Sequence, residues 1–271
     1  MSDLAERNWR LIRDEPRDGA TQMALEEVAA RTALEDDLRT VRVYSWEPST
    51  LSLGYHQNAE TVDWEFCDCK GIGVTRRQTG GGGIYHDSYA DISYTIVAPA
   101  DEVPGDLMDC YALFCEPILD AFAEMGVDAD FAEEDMEAIY RPSCYLRDVH
   151  PAHDVVAGGR KISGNAQYRQ RDVVIQHGSL SYDLEPGRHV GVFATDEVDN
   201  ATFTNRVTSI REEAGIDRED AVELLGDVLA GWCDAEESDW TVSELGSAAN
   251  LVERKYGNDA WIQDRDVPRQ V

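Results

Sequence analysis

Apolar residues along this chain follow two alternating spacings. In "GATQMALEEVAARTALEDD" (19–37) they recur every three or four positions, the period of a helix buried on one face. Thr21 sits where an N-cap belongs, with Glu26 and Glu27 early in the run. "TVRVYSW" and "STLSLGYH" then alternate apolar and polar residues, and the "EPS" between them predicts a pair of strands. "GIGVTRR" predicts a short strand that runs into four glycines, and "ADISYTIVAP" a strong strand stopped by Pro99. Helical spacing returns in "PGDLMDCYALFCEPILDAFAEMGV", as one helix or as two parted at Pro117. From "HDVV" to "SYDL" the chain predicts two or three antiparallel strands, with turns at 157–159 and near 171–172. Residues 186–217 are mixed, and "REDAVELLGDVLAGWCD" and "SELGSAANLVERKYGNDAW" each predict a helix. The expected class is α+β: a mixed, mainly antiparallel sheet with flanking helices.

Composition sharpens this picture at three points. Hydrophobic residues make up 42% of the 271, enough for a sizeable core. Against 24 Lys+Arg stand 54 Asp+Glu, a formal net charge of −30. That excess excludes a broad nucleic-acid surface, which needs a basic face. With arginine replacing lysine almost throughout, it suggests a solvated coat adapted to a high-salt cytoplasm, a halophilic trait. "MSDLAERNWRLIRDEPRDG" has no apolar signal region and no stretch reaches the roughly 20 apolar residues of a membrane helix, so a cytoplasmic, membrane-free protein is expected. The six cysteines are then expected as thiols, and "CDC" at 67–69 lacks a second ligand pair for zinc.

Three stretches carry candidate chemistry. "RRQTGGGGIYHD" (76–87) sets four glycines, Gly80 to Gly83, between the Arg76–Arg77 pair and Tyr85–His86. Glycine-rich backbone lets N–H groups approach an anion closely, and two arginines can add charge-assisted bonds. The spacing is neither a P-loop nor a dinucleotide fingerprint, and the plain alternative is a hairpin turn. "GGRKISGNAQYR" holds Lys161, one of three lysines, where a compact cation suits a single developing negative charge. The plain alternative is a surface lysine. "RPSCYLRDVHPAHD" puts Cys144 near His150 and His153, as an activated thiolate or as a buried small hydrophobe. His153 and Asp154 could pair beside an anion or magnesium, and His177 in "VIQHGSL" reads first as a structural histidine.

"MALEE", "RRQTGGGGIYHD", "HDVVAGGRKISGNAQYR" and "QHGSLSYDL" occur in the order found in the lipoate–protein ligase A and octanoyltransferase superfamily, relatives of the biotin protein ligases, and the chain resembles that family over about residues 9–210. The resemblance implies a catalytic unit over 1–215 and a small helical extension, 216–271, packed on it. It implies attachment of a lipoyl or octanoyl group in amide linkage to a lysine of lipoyl carrier domains, such as the glycine cleavage H protein and 2-oxoacid dehydrogenase E2. Lys161 would contact the acyl carbonyl and phosphate. The acyl and nucleotide site would further use Arg76, Arg77, Gly80, Gly81, Gly82, Gly83, Tyr85, His86, Asp154, Gly164, Asn165, Ala166 and His177.

Two routes remain open within the resemblance. A ligase takes lipoate, ATP and Mg2+, with Asp154 as the magnesium ligand, and implies a separate accessory protein, or a variant that manages without one, because the chain ends soon after "KYGNDAW". An octanoyltransferase needs nothing beyond its acyl donor and uses Cys144 as nucleophile. The ligase, through lipoyl-adenylate, is the leading expectation, the transferase the alternative, and a non-catalytic acyl-binding module the remote third.

Overall fold

The computed structural model describes residues 3–150, 153–169 and 172–267. Its strands are β1 (Trp9–Arg13), β2 (Arg39–Tyr44), β3 (Thr50–Leu53), β4 (Gly73–Arg76), β5 (Ile84–His86), β6 (Asp91–Pro99), β7 (Ala129–Phe131), β8 (Asp154–Ala157), β9 (Arg160–Arg169), β10 (Val173–Ser181) and β11 (Glu236–Glu237). The helices are α1 (Gly19–Glu35), α2 (Trp64–Lys70), α3 (Leu107–Glu124), α4 (Pro186–Gly191), α5 (Asn200–Arg206), α6 (Ile210–Glu213), α7 (Arg218–Cys233), α8 (Val242–Leu251) and α9 (Asp259–Asp264). The main sheet runs β11-β1-β2-β6-β10-β9-β8-β7, and a smaller one β4-β3-β5. Among the described strands only β11–β1, β1–β2 and β3–β4 pair in parallel, so the α+β, mainly antiparallel expectation holds.

Both faces of the main sheet are covered. Leu11, Val41 and Ile96 pack with Phe114 and Ile118 of α3 and with Leu225 and Leu229 of α7 in one cluster. Val97, Val173 and Ile175 pack with Val28 of α1 and Leu251 of α8 in another. Central strands buried on both faces lose the strict alternation of a half-wet strand. β6 and β10 are accordingly buried along their whole length.

Several local expectations change. β2 and the strand after it do not pair. β1 and β6 fill both edges of β2, so Thr50–Leu53 crosses into the small sheet instead. Asp18, not Thr21, caps α1: its Oδ1 accepts the Thr21 N–H at 2.9 Å. Pro117 lies inside one continuous α3. "SELGSAANLVERKYGNDAW" forms α8, a wider turn over Val252–Tyr256, and then α9. The expected turn at 157–159 follows β8, with Gly158 and Gly159 at φ +56° and +76°, while Arg171 of the second turn lies outside the described residues. Among the described residues no helix is long and apolar enough to cross a membrane.

The residues after 216 are tied to the start of the chain by a buried ion pair. Arg10 of β1 grips Glu244 of α8 through both nitrogens, at 2.5 and 3.1 Å, and Thr32 of α1 donates to the same carboxylate at 2.9 Å. Glu244 also closes the capping box of α8 with Thr241. Burial opposes its ionisation, yet the hydrogen bonds from Arg10 and Thr241 overcome this and draw the carboxyl down to about 2. We expect Glu244→Ala to cost about 3 kcal/mol at neutral pH, since it strands a buried guanidinium. A folded-state value below the ordinary 4.5 means that this stabilisation is present above that pH and fades as pH falls towards 2. Urea unfolding of parent and variant at pH 7 and pH 3 should show the gap closing at the lower pH.

Candidate active site

β8 and β9 set the site. Successive strand residues face opposite sides, but a register shift between Val155 and Val156 turns the middle of the β8–β9 ladder. Lys161 is 2% exposed, and its ammonium has three donors, each with an acceptor. Nζ lies 2.6 Å from Asp154 Oδ1, 3.1 Å from the Cys144 carbonyl oxygen and 3.8 Å from Cys144 Sγ. The Tyr145 ring lies below, its centroid 5.7 Å from Nζ. Burial disfavours the charge on Lys161, but Asp154 outweighs it and raises the ammonium above the usual lysine value. Burial likewise works against the Asp154 carboxylate, and Lys161 first, then His153, pull it well below the usual range. The pair is therefore fully ionised at neutral pH, with a positive charge facing the sulfur.

Cys144 opens a 3-10 turn, Cys144–Leu146, beneath the glycine loop. Its N–H donates to Gly83 O at 2.8 Å, and the Gly83 N–H donates to Pro142 O at 2.7 Å. This two-bond ladder fixes the loop and the Cys144 segment together. Glycine is required where they touch. A Cβ on Gly82 would lie 2.8 Å from Pro142 O and 2.9 Å from Cys144 N, and one on Gly164 would lie 3.1 Å from Cys144 Sγ and 3.3 Å from Lys161 Cε. Gly164 thus leaves room for the sulfur.

Sequence reasoning expected the arginine pair at an anion. The structure gives both guanidinium groups backbone partners instead. Arg77 is buried and donates to Gly80 O at 3.1 Å, Gly82 O at 2.9 Å and Ser52 O at 2.6 Å, which clamps the glycine loop from inside; burial pushes its pKa down. Arg76 points the other way, to Gly54 O, Gln57 O and Ile262 O at 2.8, 2.7 and 2.8 Å, and burial lowers it to about 10.

Arg77, Gly80, Gly81, Gly82, Cys144, Asp154, Lys161, Gly164, Asn165 and Ala166 come together around one cavity of about 60 Å³. Gly83 abuts it through its bonds to the Cys144 loop. Arg76, Tyr85, His86 and His177 do not line it. Tyr85 donates to Asp87 at 2.7 Å, and burial takes its phenol to about 12. His86 stacks on Trp46 at 4.0 Å between Ser52 and Asp91, and burial holds it near 4, hence neutral. His177 is buried against Glu26 and Tyr44, at 2.8 and 2.9 Å. The sequence reading passed over Tyr145, Arg147 and Asp148, which follow Cys144 directly and bring the cation–π floor and two further charges to the site.

Small-molecule pockets run to roughly 300–1,000 Å³, so a cavity of about 60 Å³ admits an acyl chain only once a wall moves. The glycine loop forms one of its walls: Gly81 sits at φ +93° and nothing packs where a Gly80 side chain would be. Asp154, the magnesium ligand expected of the ligase route, has Oδ1 engaged by Lys161 and Oδ2 by the His150 N–H at 3.0 Å.

The site thus sets a buried cation against a cysteine beneath a glycine loop. The chain belongs to the lipoyl protein ligase A/B catalytic domain family, whose model matches residues 18–230. Octanoyltransferase LipM of Kyrpidia tusciae is 33% identical over 268 residues, covering 93% of this chain and 97% of that protein. Octanoyltransferase LipM of Bacillus subtilis is 30% identical over 280 residues, covering 97% and 100%. Among solved structures, a bi-partite lipoate protein ligase of Thermoplasma acidophilum has a TM-score of 0.81 at 20% identity, over 98% of this chain and 100% of that one. A lipoate-protein ligase A bound with ATP has a TM-score of 0.78 at 22% identity, over 94% and 98%. At those identities the two structures show a shared fold. This is an enzyme of the protein lipoylation family.

The tight packing at Gly164 yields a prediction. Gly164→Ala should keep the parent's melting temperature within a few degrees, because the new methyl meets side-chain atoms of Cys144 and Lys161 rather than backbone. It should slow acyl transfer about tenfold by displacing sulfur and ammonium by tenths of an ångström. Thermal unfolding and single-turnover transfer, measured side by side, check this.

Proposed function

We propose that this enzyme is a cysteine-dependent octanoyltransferase: it takes an octanoyl group from a carrier-protein thioester onto Cys144 and delivers it to a lysine of a lipoyl carrier domain. One observation carries the reading, the Lys161 ammonium poised 3.8 Å from Cys144 Sγ while Asp154 holds it charged. Curated relatives that match along nearly the whole chain bear the name octanoyltransferase and support it. The leading expectation from sequence was the ATP-dependent ligase. Asp154, the expected magnesium ligand, is engaged with Lys161, and the balance moves to the alternative.

The roles follow from the geometry. The thiolate of Cys144 attacks the donor thioester, and the positive charge beside it stabilises sulfur as an anion. Lys161 faces the same space and can donate to the oxygen of the tetrahedral intermediate in each half-reaction, in the manner of an oxyanion hole. The glycine loop opens to admit the acyl chain and closes over it, with Arg77 holding its carbonyls in register. The acyl group arrives already activated as a thioester, so this route calls for neither ATP nor magnesium. A lipoyl domain as acceptor is supported by the bi-partite ligase of the same fold, described together with its E2 lipoyl domain.

Transfer from octanoyl-carrier protein to a lipoyl domain, followed by intact mass without ATP, tests this. We expect Cys144→Ser to abolish transfer and Lys161→Ala to lower it by 10²–10³-fold, the scale of one lost oxyanion donor. A Cys144→Ser protein that still lipoylates with lipoate and ATP would contradict the proposal.

A further inference from the structure

Most charged groups at the cavity already have partners. Lys161 is engaged with Asp154 and with the Cys144 carbonyl. Arg77 gives its donors to carbonyls of the glycine loop and of Ser52. Asp148 is bound to Arg141 at 3.1 Å and to the Ala138 N–H at 2.8 Å. Arg147 is different. It is half-buried on the cavity wall, three residues after Cys144, and among the described residues its guanidinium has no hydrogen bond or ion pair. In a chain with 54 Asp+Glu against 24 Lys+Arg, an arginine without a carboxylate is out of pattern. Arg10, Arg13, Arg39 and Arg160 each hold at least one.

The backbone is braced where this side chain begins. The Arg147 carbonyl accepts from the buried Arg206 at 3.1 Å, and the same guanidinium donates to Glu137 O at 3.0 Å. Leu146 O accepts the N–H groups of Ile139 and Tyr140 at 2.7 and 2.9 Å, and Met136 and Val149 exchange two bonds of 3.0 Å. Residues 136–149 thus fold back on themselves and hold Arg147 from both sides, while its five donors stay open. Burial disfavours the charge on Arg77 most, and the charge of Arg147 adds to that, so the two guanidinium groups lie close enough to repel.

A fixed guanidinium without a partner suits an arriving anion. Neither reacting group is one: an octanoyl thioester is neutral, and a lysine nitrogen is neutral or cationic. The anion then belongs to what surrounds a reacting group. A cavity of about 60 Å³ admits no main chain, so the acceptor lysine enters on its four-carbon stem and its backbone stops at the rim. Residues beside that lysine, 3.8 Å away along the chain, come against the wall that carries Arg147. We propose that Arg147 selects the acceptor by binding, through its planar fork, the carboxylate of an aspartate or glutamate adjacent to the target lysine. This rests on the reading above that the acceptor is a lipoyl domain. The contact would hold the amine over the cavity, and it offers an acidic segment a foothold on a protein whose net charge of −30 otherwise repels it.

The test compares delivery to two acceptors: a lipoyl domain with an acidic residue beside its acceptor lysine, and the same domain with that residue changed to its amide. Enzyme loaded from an octanoyl thioester is mixed with each, and delivery is followed by intact mass. The parent should favour the acidic domain at least tenfold in kcat/KM, the scale of one hydrogen bond to a charged group. In Arg147→Gln the preference should fall to within twofold. Arg147→Lys keeps the charge without the fork and should lie between; it carries the test if the glutamine variant does not fold. Each preference is a ratio measured on one protein, so a change in loading cancels. An unchanged preference in Arg147→Gln overturns the assignment, and so does a parent that shows none. A parent that forms no Cys144 adduct overturns the transferase reading instead, and the same ratios taken with lipoate and ATP then decide the role of Arg147.

Discussion

The site depends on one buried ion pair, Asp154 with Lys161, 2.6 Å apart and each 2% exposed. Two charges removed from water are costly unless they meet each other and their remaining donors are satisfied. Here they are. Asp154 also accepts the His150 N–H, so the same carboxylate anchors the loop that follows Cys144. Lys161 gives its other protons to Cys144 itself. The cost of burial thus fixes the relative positions of the cysteine and the cation.

The glycine loop is the complementary constraint. Its own segments are permissive, yet it is pinned by the buried Arg77 on one side and by the Gly83–Cys144 backbone pair on the other. The ion pair fixes the charge beside Cys144, and the loop, free of side chains, covers it.

Much of this was legible in the residues. β6, β9, β10, α1 and α7 announced themselves by period, and Lys161 stood out because the chain avoids lysine. What escaped was set by long-range packing. β2 looked like the partner of β3 because a turn separates them, but edge occupancy by β1 and β6 decided otherwise. Arg76 and Arg77 looked like anion ligands because both sit beside glycines, and only the fold shows their donors turned to backbone carbonyls. The resemblance offered Asp154 only as the magnesium ligand of the ligase route, and a carboxylate seven residues before a lysine gives no sign that the β8–β9 turn folds one onto the other. His153 was legible as a neighbour of Asp154, while the cavity the two share shows only in the fold.

The most direct test is a crystal structure of the protein trapped with an octanoyl group after reaction with a thioester donor. We predict a thioester on Cys144 Sγ, its carbonyl oxygen within hydrogen-bond distance of Lys161 Nζ, and the Asp154–Lys161 contact intact. An unmodified sulfur, with the acyl carboxyl group joined to a nucleotide phosphate and Asp154 turned to a magnesium ion, would contradict the account.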